Sequence, residues 1–132
     1  MSPAGSDRVL LVDAANVVGS RPTGWWRDRA GAARTFVDRV RTAAVAGEVP
    51  TPVVVVLEGA AKRGVEEGTA DGVEVVHARG EGDDTLAMLA AALTGAGKLV
   101  TLVSADRELG RRARLAGADV VGPGWLLDRL PP

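Results

Sequence analysis

The sequence predicts a three-layer α/β domain built on a parallel sheet, and three observations carry that expectation. The continuous apolar run Val9–Val12 has the composition of a strand covered on both faces, and the apolar-rich stretches Val53–Leu57 and Leu99–Val103 also read as strands. Between strands lie segments whose apolar residues recur every three or four positions, the helical period. Each of the first four expected strands is followed closely by a carboxylate: Asp13, Glu58, the Asp83-Asp84 pair and Asp106. In a parallel sheet the carboxyl ends of the strands share one edge, and ligands bind there.

The first strand, Val9 to Val12, leads into a loop carrying Gly19, Pro22 and Gly24. A helix is expected from about Trp26 to Ala46, because Ala30, Ala33, Phe36, Val37, Val40 and Ala44 repeat at helical steps. Pro50 and Pro52 separate it from the second strand, Val53 to Leu57, which ends in Glu58-Gly59. Ala60 to Gly72 is polar and contains glycine, which reads as a mobile loop. Val73 to His77 is the third strand, and a helix starting at Asp83 or Asp84 runs through Leu93, with acids at its positive end. Leu99 to Val103 is the fourth strand, Arg107 to Ala116 a helix, and Asp119 to Val121 the fifth strand. A short last helix, Trp125 to Leu130, is expected to dock Trp125, Leu126 and Leu127 on the sheet. Spacing alone leaves the strand order open.

At 132 residues with 46% hydrophobic and 25% charged residues, the chain has the size and composition of one globular domain over 1–132. The absence of cysteine excludes a disulfide framework and a thiolate zinc site. A lone histidine, His77, argues against histidine-rich metal centres and a serine–histidine triad. Residues 1–7 lack a basic stretch followed by an apolar one, so they are expected to be a flexible arm rather than a signal peptide. No apolar run has the length of a bilayer span, and the expected location is cytoplasmic. The formal net charge of −1 gives no basic excess pointing to nucleic acid. Apart from Lys62 and Lys98, however, every basic residue is arginine, which suits bidentate phosphate contacts. Genome base composition produces the same preference.

Asp13 carries the strongest single signal, since aspartate is a poor strand residue standing where the sheet edge opens. Alone it reads equally well as a turn cap, and Asn16 as a second cap or an orienting amide. Asp83 and Asp84 point about 100° apart on a helix, so one of them is expected to face a metal directly. Asp84 is expected to take that role, with Asp83 capping the helix or binding through water. Asp106 after Ser104 is also an ordinary helix start. Repetition shifts the balance, because caps alone would draw more often on Ser, Thr and Asn. Gathered carboxylates repel one another and call for a cation, and hard ions such as Mg²⁺ prefer oxygen ligands. A phosphate-binding loop, a dinucleotide fingerprint and a serine-hydrolase elbow are all absent. Arg107 and Arg111 stand one helical turn apart beside Asp106, and Lys62 and Arg63 follow the second strand. These four could steer a phosphate backbone toward the acids, although Arg111-Arg112 and Arg114 also fit a solvated helix face. Of Trp25-Trp26, one ring at most is expected to be open to a ligand, because a tryptophan at a helix start more often anchors the helix.

The set Val12-Asp13-Ala14-Ala15-Asn16, Val56-Leu57-Glu58-Gly59, Gly80-Glu81-Gly82-Asp83-Asp84-Thr85 and Val103-Ser104-Ala105-Asp106-Arg107 resembles the NYN domain of the PIN-like ribonuclease superfamily. The pieces fall in the family's order and cover nearly the whole chain. The resemblance implies a three-layer PIN-like fold whose parallel sheet runs 3-2-1-4-5, and RNA cleavage with Mg²⁺ or Mn²⁺. It also implies that Asp13, Asp84 and Asp106 hold the metal, that Asn16 orients the site and that Ser104 supports it. Glu58 departs from the family's usual aspartate, and Ala14 stands where glycine is frequent.

The expected function is therefore metal-dependent hydrolysis of RNA phosphodiester bonds. The alternatives are a phosphohydrolase acting on small nucleotides and a catalytically inactive RNA-binding or assembly module. A homodimer or protein partner is a further expectation, through the Trp25-Trp26 helix start or the last helix.

Overall fold

A computed structural model describes residues 7–132, so the expected N-terminal arm lies outside the described residues apart from Asp7. The elements are β1 (Arg8–Asp13), α1 (Ala14–Gly19), a 3₁₀ turn (Trp25–Arg27), α2 (Arg29–Val45), β2 (Val53–Leu57) and a 3₁₀ segment (Gly59–Gly64). Then follow β3 (Gly68–Ala70), β4 (Val73–His77), α3 (Gly82–Gly95), β5 (Leu99–Val103), α4 (Arg107–Leu115), β6 (Asp119–Val121) and α5 (Pro123–Leu127).

The sheet has six strands in the order β3-β4-β2-β1-β5-β6. The five expected strands are mutually parallel, with β1 central between β2 and β5. The wholly parallel sheet and the mobile loop over Ala60 to Gly72 are corrected by β3, which pairs antiparallel with β4 through Ala70 and Val73. The physical cause is the two-residue connection Asp71-Gly72, with φ of 54° and 77°. Two left-handed residues make the tight turn whose twist matches that of a hairpin. His77 then ties the preceding segment down, its Nε2 lying 2.7 Å from the Val65 carbonyl and its backbone N–H donating to Glu67 Oε2 at 2.9 Å.

Alternation along the buried strands sorts their side chains into two layers. Leu10 and Val12 with Val53, Val55 and Leu57 face α2 and α5, against Val37, Val40 and Leu126. Val9 and Leu11 with Val54, Val56 and Leu102 face α3 and α4, against Leu86, Ala90, Leu109 and Ala113. The sheet is thus covered on both sides, which is why Val9–Val12 of β1 and all of β2 read as unbroken apolar runs.

Two helix boundaries differ from expectation. Residues Ala14–Gly19, read as the start of a loop, form α1, capped by the Asp13 carboxylate. The long helix begins at Arg29 because Asp28 caps it, accepting from Gly31 N–H at 2.8 Å, and the tryptophans fall in the preceding 3₁₀ turn. No helix among the described residues is long and apolar enough to cross a membrane.

Candidate active site

Parallel register brings the carboxyl ends of β1, β2 and β5 to one edge: Asp13 lies beside Val56, and Val12 beside Val103. Asp13, the last residue of β1, is 5% exposed. Its Oδ2 accepts from Ser104 Oγ at 2.9 Å across 91 residues of chain, and its Oδ1 accepts from Asn16 N–H at 3.3 Å. Ser104 Oγ in turn accepts from Asp106 N–H at 3.1 Å. Asn16 Oδ1 accepts from Ala105 N–H at 2.7 Å, so α1 and the loop after β5 are stitched together on both sides of Asp13.

Asp13 and Asp106 both serve as helix caps, Asp106 Oδ1 accepting from Leu109 N–H at 2.9 Å. Capping alone does not account for Asp13, whose carboxyl is pushed up to about 6. Burial is the main cause, the Ser104 and Asn16 hydrogen bonds oppose it, and repulsion from Asp83 and Glu58 adds to it. Asp83, on the first turn of α3, is also shifted upward, by desolvation and then by Asp106, Glu58 and Glu81. Asp13, Glu58, Asp83 and Asp106 therefore occupy one electrostatic neighbourhood. Glu58 is held there by Gly82, whose N–H donates to Oε2 at 2.9 Å.

The two adjacent aspartates part company at the helix start, as their 100° separation requires. Asp83 feels the other acids, whereas Asp84 pairs with Arg112 of α4 at 3.1 Å. Glu81 is an acid of this neighbourhood that sequence reading passed over; the run Gly80-Glu81-Gly82-Asp83 was its signal. Of the expected RNA-contacting residues, Arg63 and Arg107 are exposed. Lys62 Nζ donates to the Ala78 carbonyl at 2.9 Å, and Arg111 Nε donates to Glu108 at 3.0 Å.

Among the described residues no group of three or more His, Cys, Asp or Glu side chains lies close enough to hold an ion as a cage. The donor chemistry fits a hydrated ion instead: Mg²⁺ keeps several waters and binds through one or two carboxylates. A carboxyl raised by burial first and by acidic neighbours second is the electrostatic state that such a cation relieves.

Gly82 offers a local test. A Cβ there would lie 3.3 Å from Glu58 Cδ, so Gly82→Ala must shift the Glu58 carboxylate by a few tenths of an ångström. The variant is expected to fold as the parent does and to lose roughly 10-fold in activity, the scale of disturbing a group that supports a metal site. A steady-state rate alongside a melting curve checks it.

No family model matches the chain, and no curated protein matches it. Among solved structures it is similar to Rae1 (YacP) from Bacillus subtilis, with 21% identity and a TM-score of 0.69 over 91% of this chain and 71% of that one. A mutant of the same protein gives 20% identity and a TM-score of 0.71 over 92% and 73%. At this identity the likeness is one of fold, and it spans nearly all of this chain.

Proposed function

We propose that this protein is a metal-dependent ribonuclease, hydrolysing RNA phosphodiester bonds at the edge that carries Asp13, Asp83, Asp106 and Glu58. One observation carries the proposal: Asp13 is buried at the carboxyl end of the central strand, where burial first, and then Asp83 of α3 and Glu58 just after β2, push its carboxyl up to about 6. Such a site has an unmet demand for positive charge. The resemblance to NYN domains and the shared fold with Rae1 (YacP) both support the reading.

Asp13 with one of Asp83 and Asp106 would hold a hydrated Mg²⁺ or Mn²⁺ directly, and the remaining acid and Glu58 would act through its waters. A divalent ion, when bound, would supply charge to the phosphoryl oxygens and lower the pKa of coordinated water. Ser104 fixes the rotamer of Asp13 by donating to it, and accepts from Asp106 N–H, so one hydroxyl couples two of the acids. Asn16 holds the turn after β5 against α1. Arg63 and Arg107, both exposed, would attract the RNA backbone.

Purified protein with Mn²⁺ or Mg²⁺ is expected to cut single-stranded RNA, and EDTA to reduce the rate to background. Free nucleotides assayed alongside separate a polymer-cutting enzyme from a small-nucleotide phosphohydrolase. A non-cleaving RNA-binding module is the competing reading, favoured by the absence of a chelating trio among the described residues. RNA retention in a gel shift, with no product in Mn²⁺, would decide for that module.

A further inference from the structure

Beside the acidic edge lies a cavity of about 400 Å³ that the chemistry above leaves unused. Its body is apolar, built from Ala14, Ala33 and Leu57, and the Trp25 ring forms one wall. The Arg29 guanidinium lies 5.3 Å from the Trp25 ring centroid. Two acidic residues, Glu58 and Glu81, also line it. Trp25 also walls a second cavity of about 340 Å³, which Arg21 and Arg39 line.

We propose that the first cavity binds one unpaired nucleobase of a single-stranded RNA, next to the phosphate handled at the acidic edge. The placement of that phosphate rests on the ribonuclease reading; the base site itself rests on the cavity. Every base has a flat π-face, and aromatic side chains with guanidinium groups are the usual platforms for unstacked bases. The cavity falls within the size range of small-ligand sites and has their pattern, an apolar body with few polar groups. Its polar groups choose between the parts of a nucleotide. A phosphate here would face Glu58 and Glu81, whereas the amino group of a base could donate to them. Gly82 N–H occupies Glu58 Oε2, which leaves Oε1 for such a donor. Continuity fits a polymer, since Glu58 belongs to both the cavity and the acidic neighbourhood, and Ala14 directly follows Asp13. Beyond Trp25, Arg21 and Arg39 offer positive charge to the backbone leaving the cavity.

Two measurements in EDTA, where no cleavage is expected, test the site. In the first, adenosine 5′-monophosphate and ribose 5-phosphate are titrated against tryptophan fluorescence in a Trp26→Phe background, which removes the exposed indole. Quenching by the nucleotide alone is expected. In the second, an eight-nucleotide RNA and an abasic ribose–phosphate chain of equal length are compared by anisotropy. The abasic chain is expected to bind about tenfold or more weakly. That gap should close in Trp25→Leu and in Ala15→Leu, which blocks the cavity from an exposed position and guards against misfolding of the tryptophan variant. Equal binding of both chains by the parent, or an undiminished gap in folded Ala15→Leu, overturns the base site even if RNA is cut normally. Nucleotide-selective quenching in a protein that cuts no RNA would keep the base site and remove the nuclease reading instead.

Discussion

Asp13→Asn and Asp106→Asn are each expected to lower divalent-ion-dependent RNA cleavage by at least about 10²-fold, the scale of losing a preorganised electrostatic group beside a reacting phosphate. Both substitutions keep the side-chain shape and an oxygen that can cap α1 or α4, so the fold should survive and the loss should report charge. The neighbouring acids sharpen the test. Asp83→Asn is expected to act like Asp13→Asn, because Asp83 senses Asp106 and Glu58. Asp84→Asn should be far milder, because that carboxylate is turned to Arg112 on an exposed surface. Ser104→Ala leaves every acid in place but frees the Asp13 rotamer, and a loss of roughly 10- to 100-fold is expected. Rates on a labelled single-stranded RNA in Mn²⁺, with circular dichroism of each variant, make the comparison. Parental rates in Asp13→Asn or Asp106→Asn would remove the active site described above.

The same Asp13→Asn substitution should make the protein more stable at neutral pH. Asp13 titrates near 3.8 when unfolded and at about 6 when folded. For an acid shifted upward, the folded state binds more protons between those two values. Stability then falls as pH rises through the window, and the penalty is complete above about pH 6. Its size is about 3 kcal/mol at 1.36 kcal/mol per unit. Asparagine carries no charge to desolvate, but it turns one acceptor into a donor facing Ser104, at a cost of about 1 kcal/mol. A net gain of about 2 kcal/mol is expected above pH 6, on the order of 5–10 °C in Tm, turning into a loss of about 1 kcal/mol below pH 4, where only the acceptor-to-donor cost remains. Mn²⁺ should raise the Tm of the parent at pH 7.5 and leave that of Asp13→Asn unchanged. Melting curves from pH 4 to 8, with and without the ion, measure both effects. An Asp13→Asn variant that melts lower than the parent at pH 7.5 would show that Ser104 and Asn16 already satisfy the charge. Activity lost and stability gained by one substitution is the trade expected of a strained functional group.

Much of the fold was legible because it rests on local signals. Val53–Leu57 is apolar on both faces and Val9–Val12 likewise, and that composition alone marks covered strands. The edge strand β3 was missed although its signal was present: Asp71-Gly72 is a hairpin dipeptide, but three exposed residues before it carry no apolar alternation. The helix α1 was missed for a related reason, since six residues are too few to display a 3.6-residue period. In the site, Asp13 and Asp106 could be picked out because each ends an apolar run. On sequence alone Asp84 is expected over Asp83, yet that choice turns on how α3 is rotated against the sheet and on Arg112, which lies 28 residues further along and pairs with Asp84.

By itself the sequence determined which segments are strands and which carboxylates stand behind them, because burial pattern and residue type are properties of neighbours along the chain. Only the tertiary structure decided which acids share a field, that Ser104 donates to Asp13 across 91 residues, and that Trp25 walls a cavity next to Glu58. Those outcomes depend on helix rotation and strand register, and both are set by how two apolar layers pack on one sheet.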